Sequence, residues 1–259
     1  MSMAMSPRWP YPRIVAHRGG GTCAPENTLA AMRYGASLGF RGVEFDVMLS
    51  ADHSPFLIHD ETLERTTTGH GAVSNTTDTV LRSLDAGRWK GQAWINEPIP
   101  TLQDTLTLCG QLALWTNIEI KPARGVERKT AAVVAKHTAQ HVAQCLAPVN
   151  AQPPLRPVLS SFSEAALLTA REIAPQIPRG WLVDHIPADW LVRMQAVDAV
   201  AVHCHYKHLQ LAQVQALHEA GYAVVCWTVN DPVIARTLVS WGVDCLITDA
   251  LHEIGPAFY

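Results

Sequence analysis

Glu44 and Asp46 lie two residues apart in G-V-E-F-D-V-M at 42–48, a run rich in β-branched and aromatic residues that reads as a strand. Strand side chains alternate between faces, so the two carboxylates share one. Side by side among apolar neighbours they repel each other and lose hydration, and the usual compensation is a cation. Residues 55–58 read as a second short strand that delivers His59 and Asp60 at its end. With a hairpin turn over 51–54, Asp46 would face His59 across the pair. Glu119 and Lys121 fall in a further strand over 114–121, and His17 and Arg18 follow a short one over 13–17. Glu44, Asp46 and Glu119 are oxygen-only ligands, which suit one hard divalent cation, Mg²⁺ or Ca²⁺, and not zinc. Against Arg18 and Lys121 the three carboxylates leave one net negative charge. A divalent ion turns that into one positive charge, enough to accept a singly charged phosphodiester. Arg18 would clamp phosphate oxygens in bidentate fashion, with Lys121 as a point charge. His17 and His59 are the candidates for proton transfer, since breaking such a diester needs one group to take a proton and another to give one. Each of those steps is worth roughly 10²–10⁴-fold. Ion pairs stitching strand ends together would explain a single carboxylate–lysine pair, but they explain five charges on three strand ends poorly.

These residues need a scaffold that gathers strand ends. After the strand at 13–17, a helix is expected over 25–38, with Pro25 near its first turn and Gly39 as its stop. Residues 61–100 are irregular and rich in Thr, Gly and Asn, with one short helix near 79–84, and read as an excursion on one face. A helix over 102–111 precedes the Glu119 strand. Helices and strands then alternate: helix 127–146, a Pro-rich loop at 148–157, strand 158–162, helix 164–174, strand 180–183 and helix 188–196. Strand 199–203, helix 209–220, strand 223–229, helix 232–241 and strand 245–248 complete the series, with a tail at 250–259. With residues 55–59 assigned to a hairpin, eight strands each followed by a helix predict an α/β fold, the (β/α)₈ or TIM barrel. An open doubly wound sheet would usually begin with G-x-G-x-x-G, and Gly19-Gly20-Gly21 is not that pattern. In a barrel the active site lies at the C-terminal strand ends. Those ends carry His17, Arg18, Glu44, Asp46, Glu119, Lys121, Ser161, His203, Trp227 and Asp249, and the opposite ends carry little that could do chemistry.

The chain has 259 residues, 48% of them hydrophobic, and a formal net charge of −3. That is room for one large core, and residues 1–259 read as a single barrel domain that includes the excursion. The slightly acidic balance gives no electrostatic footprint for nucleic acid. No apolar run approaches the ~20 residues that span a bilayer, and residues 1–13 have no apolar stretch of a secretory signal. Six scattered cysteines without C-x-x-C spacing fit a reducing cytoplasm.

Several motifs together carry a family resemblance. They are H-R-G-G-G-T-C-A-P-E-N-T at 17–28, E-F-D at 44–46, H-D at 59–60, L-E-R-T-T at 63–67, E-I-K at 119–121, T-V-N at 228–230 and T-D at 248–249. As a set they resemble the glycerophosphodiester phosphodiesterase family over nearly the whole length, closest to its short cytoplasmic bacterial form. The resemblance implies a TIM barrel of the phospholipase C-like phosphodiesterase type, with a small insertion after the second strand at about 61–100, over the mouth. It implies His17 and His59 as the acid/base pair, Glu44, Asp46 and Glu119 around one divalent cation, and Arg18 and Lys121 on phosphate. The implied substrates are small glycerophosphodiesters such as glycerophosphocholine and glycerophosphoethanolamine, cleaved to sn-glycerol 3-phosphate and an alcohol. On one path the glycerol 2-hydroxyl attacks phosphorus and water opens the resulting cyclic phosphate. No nucleic acid or stable membrane association is implied, and the oligomeric state stays open.

Other residues are more ambiguous. Trp227 could pack on the glycerol moiety or serve the core. Asp249 could bond a neighbour of the site or cap a helix. Glu26 and Asn27 are expected to serve the first turn of their helix, His203 and His205 to be polar residues of the barrel mouth, and His70 and His208 to lie on the surface. Two rivals remain: a phospholipase-like enzyme on lipid, for which Trp89 and Trp94 would be the contacts to examine, and a non-catalytic barrel that binds without turnover. An amidohydrolase would need H-x-H on the first strand, which H-R-G does not supply.

Overall fold

The computed structural model describes residues 9–144 and 155–258. The end of the helix expected to reach 146, Cys145 and most of the loop at 148–157 lie outside the described residues, as do residues 1–8 and Tyr259. Among the described residues nine strands form one sheet: β1 (Ile14–Ala16), β2 (Gly42–Leu49), β3 (Pro55–Leu57), β4 (Trp115–Ile120), β5 (Val158–Ser161), β6 (Arg179–Val183), β7 (Ala201–His205), β8 (Ala223–Trp227) and β9 (Cys245–Thr248). All but β3 run parallel, and pairing of Ala16 with Val43 joins β1 to β2 and closes the ring. The helices are α1 (Leu29–Ser37), α2 (Asp78–Ser83), α3 (Leu102–Gln111), α4 (Glu127–Gln144), α5 (Glu164–Ile173), α6 (Trp190–Val197), α7 (Leu211–Glu219) and α8 (Pro232–Ser240). This is the expected (β/α)₈ barrel, with one difference at its end: β9 is followed by turns and not by a helix.

The alternation of β2 divides its side chains as its sequence requires. Val43, Phe45 and Val47 join the large apolar layer between strands and helices. Glu44 and Asp46 face inward and are buried among the strand ends. The bottom of the interior is closed by Trp9, Tyr11 and Trp115, with Tyr11 stacked on Trp115 at 4.7 Å.

Three local departures from expectation bear on the site. The first is hairpin register. Val47 pairs with Leu57, so Asp46 lies opposite Ile58, whose N–H donates to the Asp46 carbonyl at 3.2 Å. His59 is the next residue, past the strand end, where the backbone turns and alternation no longer sets its direction. One edge of β2 is taken by β4 and the other by β1 below and β3 above, so β3 brings His59 down beside the end of β1.

The second departure is the start of α1, four residues later than expected. Asn27 has φ +58, which no helical residue adopts, and the Thr28 side chain accepts from the Ala31 N–H as the N-cap. The third is β7, which starts at Ala201. Asp198, at φ +50, ends α6, and Ala199 N–H still donates to the Met194 carbonyl. His203 therefore lies in mid-strand inside the barrel, fully buried, and not at the mouth.

Leu63, Val73, Leu81, Ala86 and Ile99 of residues 61–100 pack with Met48, Phe56 and Ile58 of the hairpin in a small separate apolar cluster. Within the excursion, Trp94 lies edge-on to Tyr34 of α1, while Trp89 is about two-fifths exposed. No described helix is long and apolar enough to cross a membrane.

Candidate active site

His17, Arg18, Glu44, Asp46, His59, Glu119, Lys121 and Trp227 all line one pocket at the C-terminal ends of the strands. Sequence reasoning reached these eight from five separated segments, and the ring brings them together.

The acidic centre comes from two neighbouring strands. Parallel register sets Asp46 beside Glu119 and Glu44 beside Asn117. One oxygen from each of Glu44, Asp46 and Glu119 lies within 4.8 Å of the others. Burial and the neighbouring Asp46 charge push Glu44 up to about 7 and Glu119 up to about 8. Burial would raise Asp46 as well, but Lys121, Arg18 and the Asn27 amide hold it below its usual value. The two raised carboxyls show that the residues present under-neutralise the cluster. Three oxygen donors, two buried and the third, Glu119, half-buried, with unbalanced negative charge fit a hard divalent cation.

Both basic side chains lie against this centre. The Arg18 N–H donates to Glu44 Oε2 at 3.1 Å, a direction set by the positive φ at Arg18 and Gly19 in the turn after β1. Arg18 Nη1 donates to Glu26 at 2.7 Å, and its Nε lies 3.4 Å from Asp46 without a hydrogen bond. Lys121 Nζ sits 3.4 Å from Asp46 and 3.7 Å from Glu119. Each therefore faces the pocket with donor capacity not fully used.

The two histidines share one arrangement. His17 Nδ1 is 2.6 Å from Asp249 Oδ1, and His59 Nδ1 is 2.6 Å from Asp60 Oδ1. With a carboxylate accepting at Nδ1, the Nε2 of each ring is left for the pocket, and that of His17 is 3.8 Å from Glu44. Burial disfavours the charged form of both rings. For His17 the Asp249 hydrogen bond and the Glu44 charge outweigh burial, so its pKa is raised. For His59 burial prevails and its pKa is lowered. The two rings are thus biased toward opposite protonation states near neutral pH.

Five residues here were unassigned, left between two readings or assigned elsewhere. Asp249 holds His17 and is itself fixed by Asn230, whose Oδ1 accepts from the Asp249 N–H at 2.8 Å. Ring closure placed it there, because β9 is the neighbour of β1. Asp60 was signalled by adjacency to His59. Glu26 and Asn27 do not serve the helix: Glu26 accepts from Arg18, and Asn27 Nδ2 donates to Asp46 at 2.9 Å. Arg65 reaches in from the excursion to Asp60 and Glu26. The far wall is apolar, formed by Phe162, Leu182, Trp227 and Ile247. There Trp227 meets Phe162 edge-on at 5.5 Å and donates from Nε1 to the His203 carbonyl.

Comparison with known proteins gives a consistent picture. The model of the glycerophosphoryl diester phosphodiesterase family matches residues 17–253. A glycerophosphodiester phosphodiesterase of Caldanaerobacter subterraneus subsp. tengcongensis is 31% identical over 241 residues, covering 91% of this chain and 93% of the relative. A probable glycerophosphodiester phosphodiesterase 1 of Mycobacterium tuberculosis is 34% identical, covering 85% and 83%. Among solved structures, an Oleispira antarctica phosphodiesterase in complex with the product sn-glycerol-3-phosphate superposes with a TM-score of 0.87 at 37% identity, over 94% of this chain and 95% of that one.

Proposed function

This chain belongs to the glycerophosphoryl diester phosphodiesterase family, and from that premise we propose that it hydrolyses small glycerophosphodiesters to sn-glycerol 3-phosphate and a free alcohol. The reading rests on one observation above all. A cluster of three carboxylates within 4.8 Å, two buried and one half-buried, is flanked by two histidines, each anchored through Nδ1 on an aspartate. Glu44, Asp46 and Glu119 would hold one divalent cation, Mg²⁺ or Ca²⁺. Bound there, such an ion would supply Lewis acidity toward phosphoryl and hydroxyl oxygens.

The chain's own residues account for the rest. Arg18 and Lys121 bind the phosphate oxygens, and Trp227 with the apolar wall packs on substrate carbon. His59, biased toward its neutral form, takes the proton of the glycerol 2-hydroxyl as that oxygen attacks phosphorus. His17, biased toward its protonated form, gives its proton to the departing alcohol. The cyclic phosphate is then opened by water with the two roles reversed, leaving glycerol 3-phosphate and both rings in their starting states.

We read the chain as one barrel domain with the segment at 61–100 as an insertion over its mouth. The described cysteines are all unpaired thiols, four of them buried, which supports a reducing, cytoplasmic setting. Release of glycerol 3-phosphate from a panel of choline, ethanolamine and glycerol diesters, alongside analogues lacking the 2-hydroxyl, tests the reaction. Turnover of the natural diesters with none of the 2-deoxy analogues is expected, and no release from any diester would overturn it.

A further inference from the structure

We infer that Arg65, supplied by the excursion, is a positioning residue that joins the two halves of the site, holding His59 through Asp60 and Arg18 through Glu26. Its guanidinium makes two pairs of contacts. Nε donates to Asp60 Oδ2 at 2.5 Å and Nη2 to Asp60 Oδ1 at 3.1 Å. Nη1 donates to Glu26 Oε2 at 2.8 Å and Nη2 to Glu26 Oε1 at 2.8 Å. Each carboxylate then passes the constraint inward. Asp60 Oδ1 also accepts from His59 Nδ1, and Glu26 Oε1 also accepts from Arg18 Nη1 at 2.7 Å. The result is one unbroken chain, His59–Asp60–Arg65–Glu26–Arg18, that starts and ends in the pocket while its centre lies outside it.

Chemistry and placement both favour this role over that of an ordinary surface ion pair. Only a planar fork of five donors can grip two carboxylates with a pair of hydrogen bonds to each, which the single ammonium of a lysine cannot do. Arg65 is not part of the pocket lining, so it acts through Asp60 and Glu26. Its own segment is anchored: Leu63 and Thr66 are buried, and the Thr67 N–H donates to the Leu63 carbonyl. An exposed pair with no further duty contributes almost nothing measurable. Here two site residues lose their orientation at once if the fork is removed.

The inference rests on the proposed reaction, and two readouts separate the failure of one from the failure of the other. The first is the ¹⁵N signature of the His59 ring in Arg65→Ala, read without substrate. The Nδ1–H form is expected to dominate in the unaltered chain and to give way to mixed tautomers in the variant, with Arg65→Lys in between. The second is kinetic. Arg65→Ala should lower kcat at least tenfold and raise KM, with little change in melting temperature, and added guanidinium ion should restore part of the loss. Glu26→Ala and Asp60→Ala should each be far from additive with it. If Arg65→Ala destabilises the chain, Arg65→Gln and the rescue of that variant by guanidinium give the same reading. A locked His59 ring with unchanged kcat and KM in folded Arg65→Ala would overturn the inference. A mobilised ring in a protein that turns over no diester would uphold Arg65 and reject the reaction instead.

Discussion

Asp249, which follows the last strand of the ring, holds Nδ1 of His17, which follows the first, at 2.6 Å across 232 residues of sequence. The contact fixes which nitrogen faces the pocket and favours the charged imidazole. Asp249→Asn keeps the shape and removes the charge, so the ring loses both its preferred tautomer and its stabilised protonated form. The expected outcome is a fall in kcat of about 10²-fold or more with a nearly unchanged melting temperature. Steady-state kinetics beside a thermal melt check it.

The same pair, with Asp60, sets a pH profile. In the proposed reaction His59, as base, must be neutral, and its lowered pKa puts the acid limb below the ordinary histidine value of 6.5. His17, as the proposed acid, must be protonated, and its raised pKa puts the alkaline limb above 6.5. Activity should therefore be bell-shaped around neutrality. Asp249→Asn should move the alkaline limb to lower pH, and Asp60→Asn should move the acid limb lower, because each removes a charge that favours the imidazolium. Rate–pH profiles of kcat/KM for the three proteins decide it.

Cation-free protein should be less stable at pH 8 than at pH 6.5. Glu44 and Glu119 titrate near 7 and 8 when folded, against an ordinary 4.5. The native state thus binds more protons than the unfolded one between those limits, and stability falls as pH rises. Below 6.5 His203, which burial pushes down to about 3, adds an opposite slope that offsets part of this one, because its native form stays neutral where the unfolded one is charged. Thermal melts in chelator across pH 6.5–8 should show the decline. Saturating Ca²⁺ or Mg²⁺ should abolish it and raise the midpoint, and Glu44→Gln should weaken both effects.

Gly180 on β6 is the floor on which His203 rests. A Cβ at 180 would stand 2.3 Å from His203 Nε2. Gly180→Ala should cost about 1–3 kcal/mol by overpacking, and His203→Ala in the same chain should recover much of that loss. Denaturant unfolding of the two single variants and the double variant measures the coupling.

How far the sequence could be read follows from where each signal resides. Alternation on β2 revealed Glu44 and Asp46 because both faces of that strand are buried and only one carries charge. The barrel was legible from repeated strand–helix alternation. The hairpin slip at His59 was not legible, because one residue of turn length moves every cross-strand partner. Asn27 and Asp198 escaped for a related reason: a single left-handed residue ends an element without disturbing its composition. Glu26, Arg65 and Asp249 fall within the recurrent motifs at 17–28, 63–67 and 248–249, but their contacts are long-range and exist only in the folded ring, so the motifs did not show what each one touches.

In the proposed reaction one cation, held by Glu44, Asp46 and Glu119 between two anchored histidines, is required for turnover. The direct measurement is a titration of chelator-treated protein with Mg²⁺ and Ca²⁺, following bound ion by calorimetry and glycerol 3-phosphate release from glycerophosphocholine in parallel. One ion per chain, with activity returning in proportion to occupancy and both signals lost in Asp46→Ala, is the predicted result. Full turnover in excess chelator, or unchanged ion binding in Asp46→Ala, would contradict it.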